Sequence, residues 1–251
     1  MTDPCRVTIV IPAHNEAQRI GATLRTIRDY LCASSFDAAV IVVDDGSTDE
    51  TATLAAQAVE PLDVRVIRVP ANRGKGYAVR TGMAAADGTY VLMTDADLST
   101  PIHEVASLLR AMDEGADVAI GSRDLPQSNV VVHQPWWREH MGDMFNVCAR
   151  ALGLTSFYDT QCGFKLLRVV DGKRLCPLLV VDGFAFDVEL LFAARALGLS
   201  VRDVPVEWRH AEFSRVHPLR APITMLRDLV RVRLRAWRGC YRDVNLPREP
   251  L

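Results

Sequence analysis

Short apolar runs recur along the first half of the chain, and each is followed by a stretch with helical periodicity. The runs predict buried β-strands, because they are brief, rich in valine and isoleucine, and bounded by polar or glycine-containing segments. They occupy residues 7–11, 40–43, 64–69, 90–93 and 118–120. The regular alternation with helices predicts an α/β fold built on a doubly wound, mostly parallel sheet.

Between the predicted strands, apolar residues fall three or four positions apart, as they do on one face of a helix. The first predicted helix has its apolar face at Ile20, Leu24, Ile27 and Leu31. Further helices are expected to end near residue 59, near residue 86 and, after a start at Pro101, near residue 112. Residues 47–49 include candidate N-caps for the second helix, since their side chains can accept hydrogen bonds from free backbone N–H groups.

Polar, acidic or glycine-containing clusters follow four successive predicted strands. They occupy residues 13–16, 44–49, 72–76 and 95–99. In an open α/β sheet, ligands bind beyond the carboxyl ends of the strands. Turns rarely need so many carboxylates for folding alone, so we expect the four clusters to line one ligand cleft.

Asp95 and Asp97 stand one residue apart directly after the strand at 90–93. Two carboxylates in this position can share one oxygen-preferring cation, Mg²⁺ or Mn²⁺, and leave coordination positions open for phosphate oxygens. Many Asp-x-Asp pairs only cap turns, so the neighbouring clusters decide between the two interpretations. Residues 72–76 offer cations and glycines that suit a pyrophosphate, although neither a P-loop nor a dinucleotide glycine fingerprint is present.

Composition narrows the class of protein. With 251 residues, 49% hydrophobic and 24% charged, the chain is expected to form one large soluble domain with or without an appendage. A net charge of −2 and the absence of a nucleic-acid-binding motif argue against a nucleic-acid partner. The six cysteines form no C-x-x-C pair, which predicts reduced thiols in a cytoplasmic protein. We expect neither a signal peptide nor a transmembrane helix.

Taken together, the clusters resemble the successive motifs of family 2 glycosyltransferases, which have the GT-A fold. The matching motifs are Pro-Ala-His-Asn-Glu at 12–16, Asp-Asp-Gly-Ser-Thr-Asp at 44–49, Asn-Arg-Gly-Lys-Gly at 72–76 and Asp-Ala-Asp at 95–97. The downstream motifs are similar to those of dolichyl-phosphate β-glucosyltransferases and bacterial polyprenyl-phosphate sugar synthases. They are Gly-Ser-Arg at 121–123, Asp-Thr-Gln-Cys-Gly-Phe-Lys at 159–165 and Phe-Ala-Phe-Asp-Val-Glu-Leu at 184–190. The likeness covers residues 6–240.

The resemblance implies that Pro12, Glu16 and Asp44 hold the nucleoside of a nucleotide sugar. Carboxylates only accept hydrogen bonds, which suits ribose hydroxyls at Glu16 and the edge of the base at Asp44. The alternatives are an acidic residue at a helix start for Glu16 and a turn cap for Asp44. Asp45 is expected to be structural and to cap the turn at residues 47–48.

The same resemblance implies that Lys75 and Asp95 bind the nucleotide and that Asp95 and Asp97 are ligands of the metal ion. Mg²⁺ or Mn²⁺ would neutralise the charge that builds on the departing nucleoside diphosphate. Asp97 is the stronger candidate for direct ligation. Ser99 stands where a further ligand could fall.

Cations downstream of the metal motif are candidates for binding an acceptor phosphate, as arginines do in the resembling synthases. Guanidinium groups suit phosphate because their paired N–H donors match its oxygens. The alternative for each arginine is a surface salt bridge, and Lys165 could instead pair with Asp159. The four candidates are Arg123, Arg138, Arg215 and Lys165.

Asp159 and Gln161 are the candidates for contact with the transferred sugar, and Asp159 joins Asp97 and Arg123 in the predicted catalytic set. A phosphate acceptor already carries an anionic oxygen at neutral pH, because its second pKa is about 6. No strong general base is therefore expected. Asp187 and Glu189 would position or shape the site, and Glu189 could equally be a buried structural carboxylate.

Residues 130–137 interrupt the alternation of strands and helices and include Trp136 and Trp137. Tryptophans favour boundaries between apolar and polar surroundings, so one interpretation is a flexible acceptor loop that meets lipid. The other interpretation is a pair of tryptophans packed in the core.

The last part of the chain predicts a basic amphipathic helix. Apolar residues fall at 223, 226, 230, 234, 237 and 241, and arginines fill much of the remainder. Such a helix can lie in a membrane interface and attract anionic lipid, which predicts peripheral contact with the cytoplasmic face of a membrane. The alternative is a helix that packs back on the domain with a solvated basic face.

These observations predict a catalytic domain at residues 1–215, with a nucleotide-sugar half at about 6–123 and an acceptor half at about 124–215, followed by a helix and tail at 216–251. The resemblance implies inverting, metal-dependent transfer of a hexose to a polyprenyl phosphate, with UDP-glucose the first choice of donor and GDP-mannose the second. One alternative is transfer to a soluble hydroxyl acceptor, which would need a true base at Asp159 or Asp187. The others are a nucleotidyltransferase and a non-enzymatic nucleotide-sugar-binding membrane scaffold. A homo-oligomer is possible.

Overall fold

Strand β1 (Arg6–Ala13) is an interior strand of the sheet, with buried, mainly apolar side chains on both of its faces. The structure is a computed structural model that describes residues 6–34, 37–57, 60–132, 136–210 and 220–241, without the side chains of 136–140, 220 and 221. The remaining strands are β2 (Asp37–Asp45), β3 (Val64–Val69), β4 (Tyr90–Met93), β5 (Val118–Ser122), β6 (Asn129–Val132), β7 (Lys165–Arg168), β8 (Val201–Pro205) and β9 (Glu207–Arg209).

Eight α-helices are present in the described part of the chain. They are α1 (Ile20–Ala33), α2 (Thr51–Ala56), α3 (Lys75–Ala85), α4 (Val105–Asp113), α5 (Trp136–Ala151), α6 (Val169–Leu175), α7 (Phe186–Ala196) and α8 (Arg220–Trp237). Single 3₁₀ turns at Ile102–Glu104 and Cys176–Leu178 precede α4 and follow α6.

Seven strands form one sheet in the order β3-β2-β1-β4-β7-β5-β8. All neighbours are parallel except β7, which runs antiparallel to both β4 and β5. The predicted doubly wound, mostly parallel α/β sheet is therefore confirmed. Because β7 and β8 come from the predicted acceptor half, both halves of the chain contribute to this one sheet, and the division at residue 123 stays a prediction.

Alternation along β1 divides the core into two layers. Val10 packs with buried residues of α3 and α7 on one face of the sheet. Ile9 and Ile11 pack on the other face with buried residues of α1 and α4. Successive side chains of a strand point to opposite faces, so a continuous apolar run is what a strand covered on both sides requires.

Two predicted boundaries change in the structure. Helix α2 begins only at Thr51, and its N-cap residue Glu50 makes no side-chain capping bond. From the predicted N-cap cluster, the Asp49 carboxylate accepts a hydrogen bond from the Thr51 N–H at 3.0 Å and so stabilises the first turn from within the preceding loop. The helix ends at Ala56, and residues 58–59 lie outside the described chain.

The segment at 130–137 contains regular structure. Strand β6 pairs with β9 in a separate two-stranded sheet, and α5 starts at Trp136. Residues 133–135 and the side chains of both tryptophans lie outside the described part, so the choice between a lipid-facing loop and a core pair stays open. The predicted C-terminal helix is present as α8. Within the described ranges, the helices are all too short or too polar to traverse a lipid bilayer.

Candidate active site

The loops after β1 and β2 are held together by side-chain hydrogen bonds to backbone. Asn15, with a positive φ of 55°, accepts from the Thr48 N–H at 2.8 Å and donates its own N–H to Ser47 Oγ at 2.8 Å. The Glu16 N–H donates to Thr51 Oγ1 at 2.7 Å. Asparagine tolerates this left-handed backbone better than most residues, which explains its place at the turn. The first two predicted clusters therefore form one wall.

Asp44 is the second-last residue of strand β2, and only 1% of its surface is exposed. One carboxylate oxygen accepts from the Ser47 N–H at 3.1 Å, and the other lies 3.3 Å from Arg68 Nε. Asp44, rather than Asp45, therefore caps the turn at residues 47–48, which corrects the expectation from the sequence. Its predicted contact with the base of a nucleotide stays a prediction.

Asp45 joins the second cluster to the third. Its two carboxylate oxygens accept from the backbone N–H groups of Arg73 and Gly74 at 2.9 and 2.7 Å. Asp45 is structural, as expected, but it orders the loop before α3 instead of its own turn. The Nδ1 atom of the His14 ring lies 2.8 Å from the Asp45 carbonyl oxygen.

Lys75 stands at the start of α3 and contacts the metal motif. Its Nζ lies 2.6 Å from Asp95 Oδ1. Burial alone would lower the pKa of Lys75, but the charges of Asp95 and Asp187 outweigh it and hold the pKa above its usual value. The ammonium therefore stays charged, and the predicted nucleotide-binding Lys75 and Asp95 are neighbours.

Asp97 lies on the turn after β4, where Leu98 has a positive φ of 47°. Its Oδ1 accepts from the Ser99 N–H at 2.9 Å, and its Oδ2 lies 3.8 Å from an Arg19 guanidinium nitrogen. Arg19 also pairs with Glu16 at 2.7 Å. Ser99 thus contacts the motif through its backbone, and Arg19 links the predicted ribose-binding and metal-binding carboxylates.

Gly163 lies close to the Asp95 carboxylate. A Cβ atom at residue 163 would lie 2.2 Å from Asp95 Oδ2, nearer than any non-bonded contact allows. The glycine of the downstream motif therefore leaves the space that the Asp95 carboxylate occupies.

The donor set at the end of β4 fits a hard divalent cation. Asp95 and Asp97 supply carboxylate oxygens, the ligands that Mg²⁺ and Mn²⁺ prefer. Across the described residues, no group of three histidine, cysteine, aspartate or glutamate side chains could hold a metal ion by itself. A cation here would take its remaining ligands from water or from a bound diphosphate.

Arg123 and Asp159 form a bidentate ion pair. The guanidinium donates from Nε and Nη2 to the two carboxylate oxygens, each at 2.7 Å, and the Arg123 backbone N–H adds a third bond at 2.9 Å. Burial would raise the pKa of Asp159, but Arg123 outweighs it and lowers that pKa below the ordinary value. Asp159 is therefore a poor proton acceptor.

The surroundings of this pair include a residue that sequence reasoning missed. Trp208 of β9 places its ring 5.3 Å from the Arg123 guanidinium carbon. Gln161, predicted to touch the sugar, donates its backbone N–H to Asp159 at 3.1 Å. Nothing in the sequence around Trp208 indicates a contact with Arg123, because the two residues are far apart in the chain and only the fold brings them together.

Lys165 is buried and pairs with Asp187 at 2.5 Å. The alternative from the sequence, in which Lys165 pairs with Asp159, is therefore wrong. The ammonium also donates to the Cys162 carbonyl oxygen at 2.5 Å. Burial raises the pKa of Asp187, and Lys165 offsets only part of that rise. The Lys165 ammonium is thus buried and bonded to two protein oxygens, and its role at an acceptor phosphate stays a prediction.

Glu189 is fully buried and its hydrogen-bond capacity is used within the protein. One carboxylate oxygen accepts from the N–H groups of Val180 and Val181 at 2.9 and 2.8 Å, and the other accepts from the Tyr241 hydroxyl at 2.6 Å. Of the two sequence interpretations, these contacts favour the structural carboxylate.

Asp182 is a second residue that the sequence analysis missed. Its carboxylate binds Arg80 at 2.6 Å and lies 3.6 Å from Arg73. A Cβ at Gly74 would lie 2.4 Å from the Asp182 carbonyl oxygen. Gly74 therefore leaves room for this carbonyl oxygen, a contact between loops that the sequence did not predict.

A groove of about 580 Å³ opens beside Asp97. Its lining includes Arg19, Thr23, His103 and Arg209. The predicted nucleotide-binding and metal-binding residues lie at or just beyond the carboxyl ends of neighbouring strands, except for Lys75 at the start of α3. They are Pro12, Glu16, Asp44, Lys75, Asp95 and Asp97. Arg215 and the side chain of Arg138, predicted to bind the acceptor phosphate, lie outside the described residues.

Comparison with known proteins agrees with this geometry. The family model described as Glycosyl transferase family 2 matches residues 8–171. Dolichyl-phosphate beta-glucosyltransferase of Mus musculus is 33% identical over 253 residues, covering 94% of this chain and 78% of that protein. The Homo sapiens protein of the same name is 32% identical over 251 residues, covering 94% and 78%.

A solved structure is similar in fold. Glucosyl-3-phosphoglycerate synthase from Mycobacterium tuberculosis, crystallised with Mn²⁺, UDP and phosphoglyceric acid, aligns with a TM-score of 0.68 and 22% identity over 96% of this chain and 80% of that chain. The likeness confirms the predicted GT-A type of α/β fold. The match of the family model over most of the chain, with the two relatives above, shows that the chain belongs to glycosyl transferase family 2.

Proposed function

We propose that this glycosyltransferase moves glucose from UDP-glucose to the phosphate of a polyprenyl lipid of the dolichyl type, with inversion at the anomeric carbon. The relatives named dolichyl-phosphate beta-glucosyltransferase support the sugar and the class of acceptor. GDP-mannose remains the second choice of donor, and the reaction is proposed to take place at the cytoplasmic face of a membrane.

The observation that carries the choice of a phosphate acceptor is the Arg123–Asp159 pair. Transfer to a hydroxyl needs a carboxylate that can take a proton in the transition state. Asp159 is bonded to Arg123 through both oxygens, and its lowered pKa makes it weakly basic. Asp187, the other candidate base, is buried in an ion pair with Lys165. A phosphate acceptor has no such need, because its oxygen is already anionic near neutral pH.

The proposed transfer is a single displacement. An oxygen of the acceptor phosphate attacks the anomeric carbon from the face opposite the leaving group, and the bond from that carbon to the diphosphate oxygen breaks with its electron pair on UDP. Glu16 and Asp44 would hold the nucleoside, and Lys75 would place its charge against the diphosphate. Arg123 would orient the acceptor phosphate through donors not directed at Asp159.

A divalent cation held by Asp95 and Asp97 would supply charge neutralisation at the leaving diphosphate. The carboxylate donor set fits such an ion. The Mycobacterium tuberculosis synthase crystallised with Mn²⁺ and UDP-glucose supports the same type of site. Both Mg²⁺ and Mn²⁺ are candidates.

The deciding experiment measures transfer of radiolabelled sugar by the purified chain with Mn²⁺. The donors are UDP-glucose and GDP-mannose, and the acceptors are a short polyprenyl phosphate, the matching polyprenol and 3-phosphoglycerate. We expect label from UDP-glucose in the polyprenyl phosphate fraction. Label in polyprenol or 3-phosphoglycerate alone would overturn the proposed acceptor, and no transfer at all would favour the non-enzymatic scaffold.

Asp97→Asn is the matching active-site variant. Removing one charge from the proposed ligand set should lower turnover by about 100-fold or more without unfolding the protein. Asp113→Asn, at the exposed end of α4, is the control and should keep normal turnover. Near-normal activity of Asp97→Asn would refute the metal role of this residue.

A further inference from the structure

Helix α8 has two apolar faces, and only one of them is used by the fold. Leu229 and Val232 are fully buried, and Met225 and Ala236 pack beside them against the core. The second face is open to solvent. Its residues are Ile223 (73% exposed), Leu226 (48%), Val230 (44%), Leu234 (43%) and Trp237 (70%), a set that we name the outer stripe.

The outer stripe is the apolar pattern that the sequence predicted, with one correction. The sequence pattern predicts Tyr241 on the same face, but Tyr241 is buried at 2% exposure, and its hydroxyl donates a hydrogen bond to Glu189. The remaining five positions follow spacings of three and four residues, which keeps them in one line along the helix. Five apolar side chains in a continuous exposed line on one helix indicate a contact surface.

Arginines border the outer stripe. A groove of about 470 Å³ on α8 is lined by Arg227, Val230, Arg231, Leu234, Arg235 and Arg238. The one acidic residue between 220 and 238 is Asp228, which faces inward near Gly183. The exposed face of α8 therefore combines apolar side chains with positive charge alone.

We propose that the outer stripe and its arginines dock on the surface of an anionic lipid bilayer. Trp237 and the aliphatic side chains would enter the interface between headgroups and acyl chains, and Arg227, Arg231 and Arg238 would meet lipid phosphates. A second copy of this chain fits the surface poorly, because two such faces would bring their arginines together. The docking does not depend on which sugar or acceptor the enzyme uses.

The test is co-sedimentation of the full chain with vesicles of phosphatidylcholine alone or with 30% phosphatidylglycerol, a composition chosen at about physiological anionic charge. We expect binding to the anionic vesicles. Leu234→Gln with Trp237→Ser should weaken that binding about tenfold or more, because two apolar side chains no longer enter the interface. Arg227→Gln with Arg238→Gln should weaken it about 20-fold on anionic vesicles and little on neutral ones.

Val170→Gln, which alters an equally exposed apolar residue on α6, is the matched control and should bind as the unmodified chain does. All variants replace exposed side chains, so thermal unfolding should be unchanged and will verify that each is folded. Unchanged vesicle binding in both double variants would overturn the proposal. Failure of every chain, the unmodified one included, to bind vesicles would overturn it as well. Concentration-dependent dimers would then assign the surface to a second copy.

The same variants separate this proposal from the proposed function. Transfer to a short, water-soluble polyprenyl phosphate without vesicles should be unchanged in Leu234→Gln with Trp237→Ser. If the unmodified chain does not carry out that transfer, the result counts against the proposed function and not against membrane docking. Loss of vesicle binding counts against membrane docking and leaves the proposed function intact.

Discussion

At the scale of single residues, burial decides what each carboxylate of the site can do. Asp159 is almost fully buried, yet its bidentate contact with Arg123 keeps its pKa low. Asp187 is buried too, and its single contact with Lys165 does not prevent a raised pKa. Two aspartates of similar burial therefore differ in proton affinity because their cationic partners bind them with different geometry.

Replacing Asp159 by Asn should lower the free energy of unfolding at pH 7 by about 3 kcal/mol, since it leaves Arg123 without its buried partner. The folded-state pKa of Asp159 lies below the ordinary 3.8. Its ionisation therefore stabilises the fold fully above pH 3.8, and this contribution disappears as the pH falls through the folded-state pKa. The difference between the variant and the unmodified chain should thus shrink in acid.

Urea unfolding at pH 7 and at about pH 3 measures this difference. Asp113→Asn is the control, because an exposed aspartate without a buried partner should change stability little at either pH. An Asp159→Asn variant as stable as the unmodified chain at pH 7 would show that the pair contributes no net stabilisation.

At the scale of elements, glycines mark the places where two loops meet at the cleft. Gly74 and Gly76 let the start of α3 lie against the carbonyl oxygens of Asp182 and Val181. Gly163 lets the segment before β7 approach Asp95. The antiparallel strand β7, inserted between β4 and β5, is what brings this segment to the end of β4.

Gly163→Ala tests that contact. The new methyl group would overlap the Asp95 carboxylate, so the carboxylate must rotate away while the backbone stays in place. We expect turnover to fall by about 100-fold, as for a displaced reacting group, with a change in unfolding free energy below about 1 kcal/mol. Steady-state transfer over a Mn²⁺ titration, with thermal unfolding in parallel, measures both.

Gly142→Ala is the control for this substitution. A Cβ at residue 142 of α5 meets no atom within 4 Å, so alanine should keep full activity and stabilise the helix by about 0.5–1 kcal/mol. Equal activity of Gly163→Ala and Gly142→Ala would show that the position of Asp95 does not limit the reaction.

At the scale of the whole molecule, α8 closes the core and presents a second surface outward. Its inner face covers α5 and α7, and Tyr241 just beyond it completes the hydrogen bonds of Glu189. Glu189 in turn holds the N–H groups of the loop that contains Asp182. The last helix is therefore part of the folded domain, and the predicted separation of an appendage at residue 216 stays a prediction.

Ending the chain after residue 219 should destabilise the domain. Burial of Leu229, Val232 and Tyr241 would be lost, which is worth about 5 kcal/mol at a typical gain per buried side chain. We expect a much lower urea midpoint or loss of the cooperative transition. The control is Leu234→Gln with Trp237→Ser, which changes only exposed residues and should keep the midpoint. An equally stable truncated chain would show that α8 is not needed by the core.

The sequence by itself determined the first five strands, the helices between them and the family. Each of these features rests on a local pattern: apolar runs for strands covered on both faces, three-to-four spacing for helices, and short motifs of fixed residue types. The periodicity of the last helix was equally visible. This periodicity could not show that Tyr241 is buried while the outer stripe is exposed. Burial depends on which residues of the folded chain pack against a helix, and the spacing of apolar residues does not contain that information.

Only the tertiary structure decided which groups are partners. Strand β7 and the pairings Asp45 with residues 73–74, Arg123 with Asp159, and Lys165 with Asp187 join positions far apart in the chain or on different elements. A charged side chain can pair with any residue of opposite charge that the fold brings near it. Only the distances in the folded chain therefore determine which pairs form.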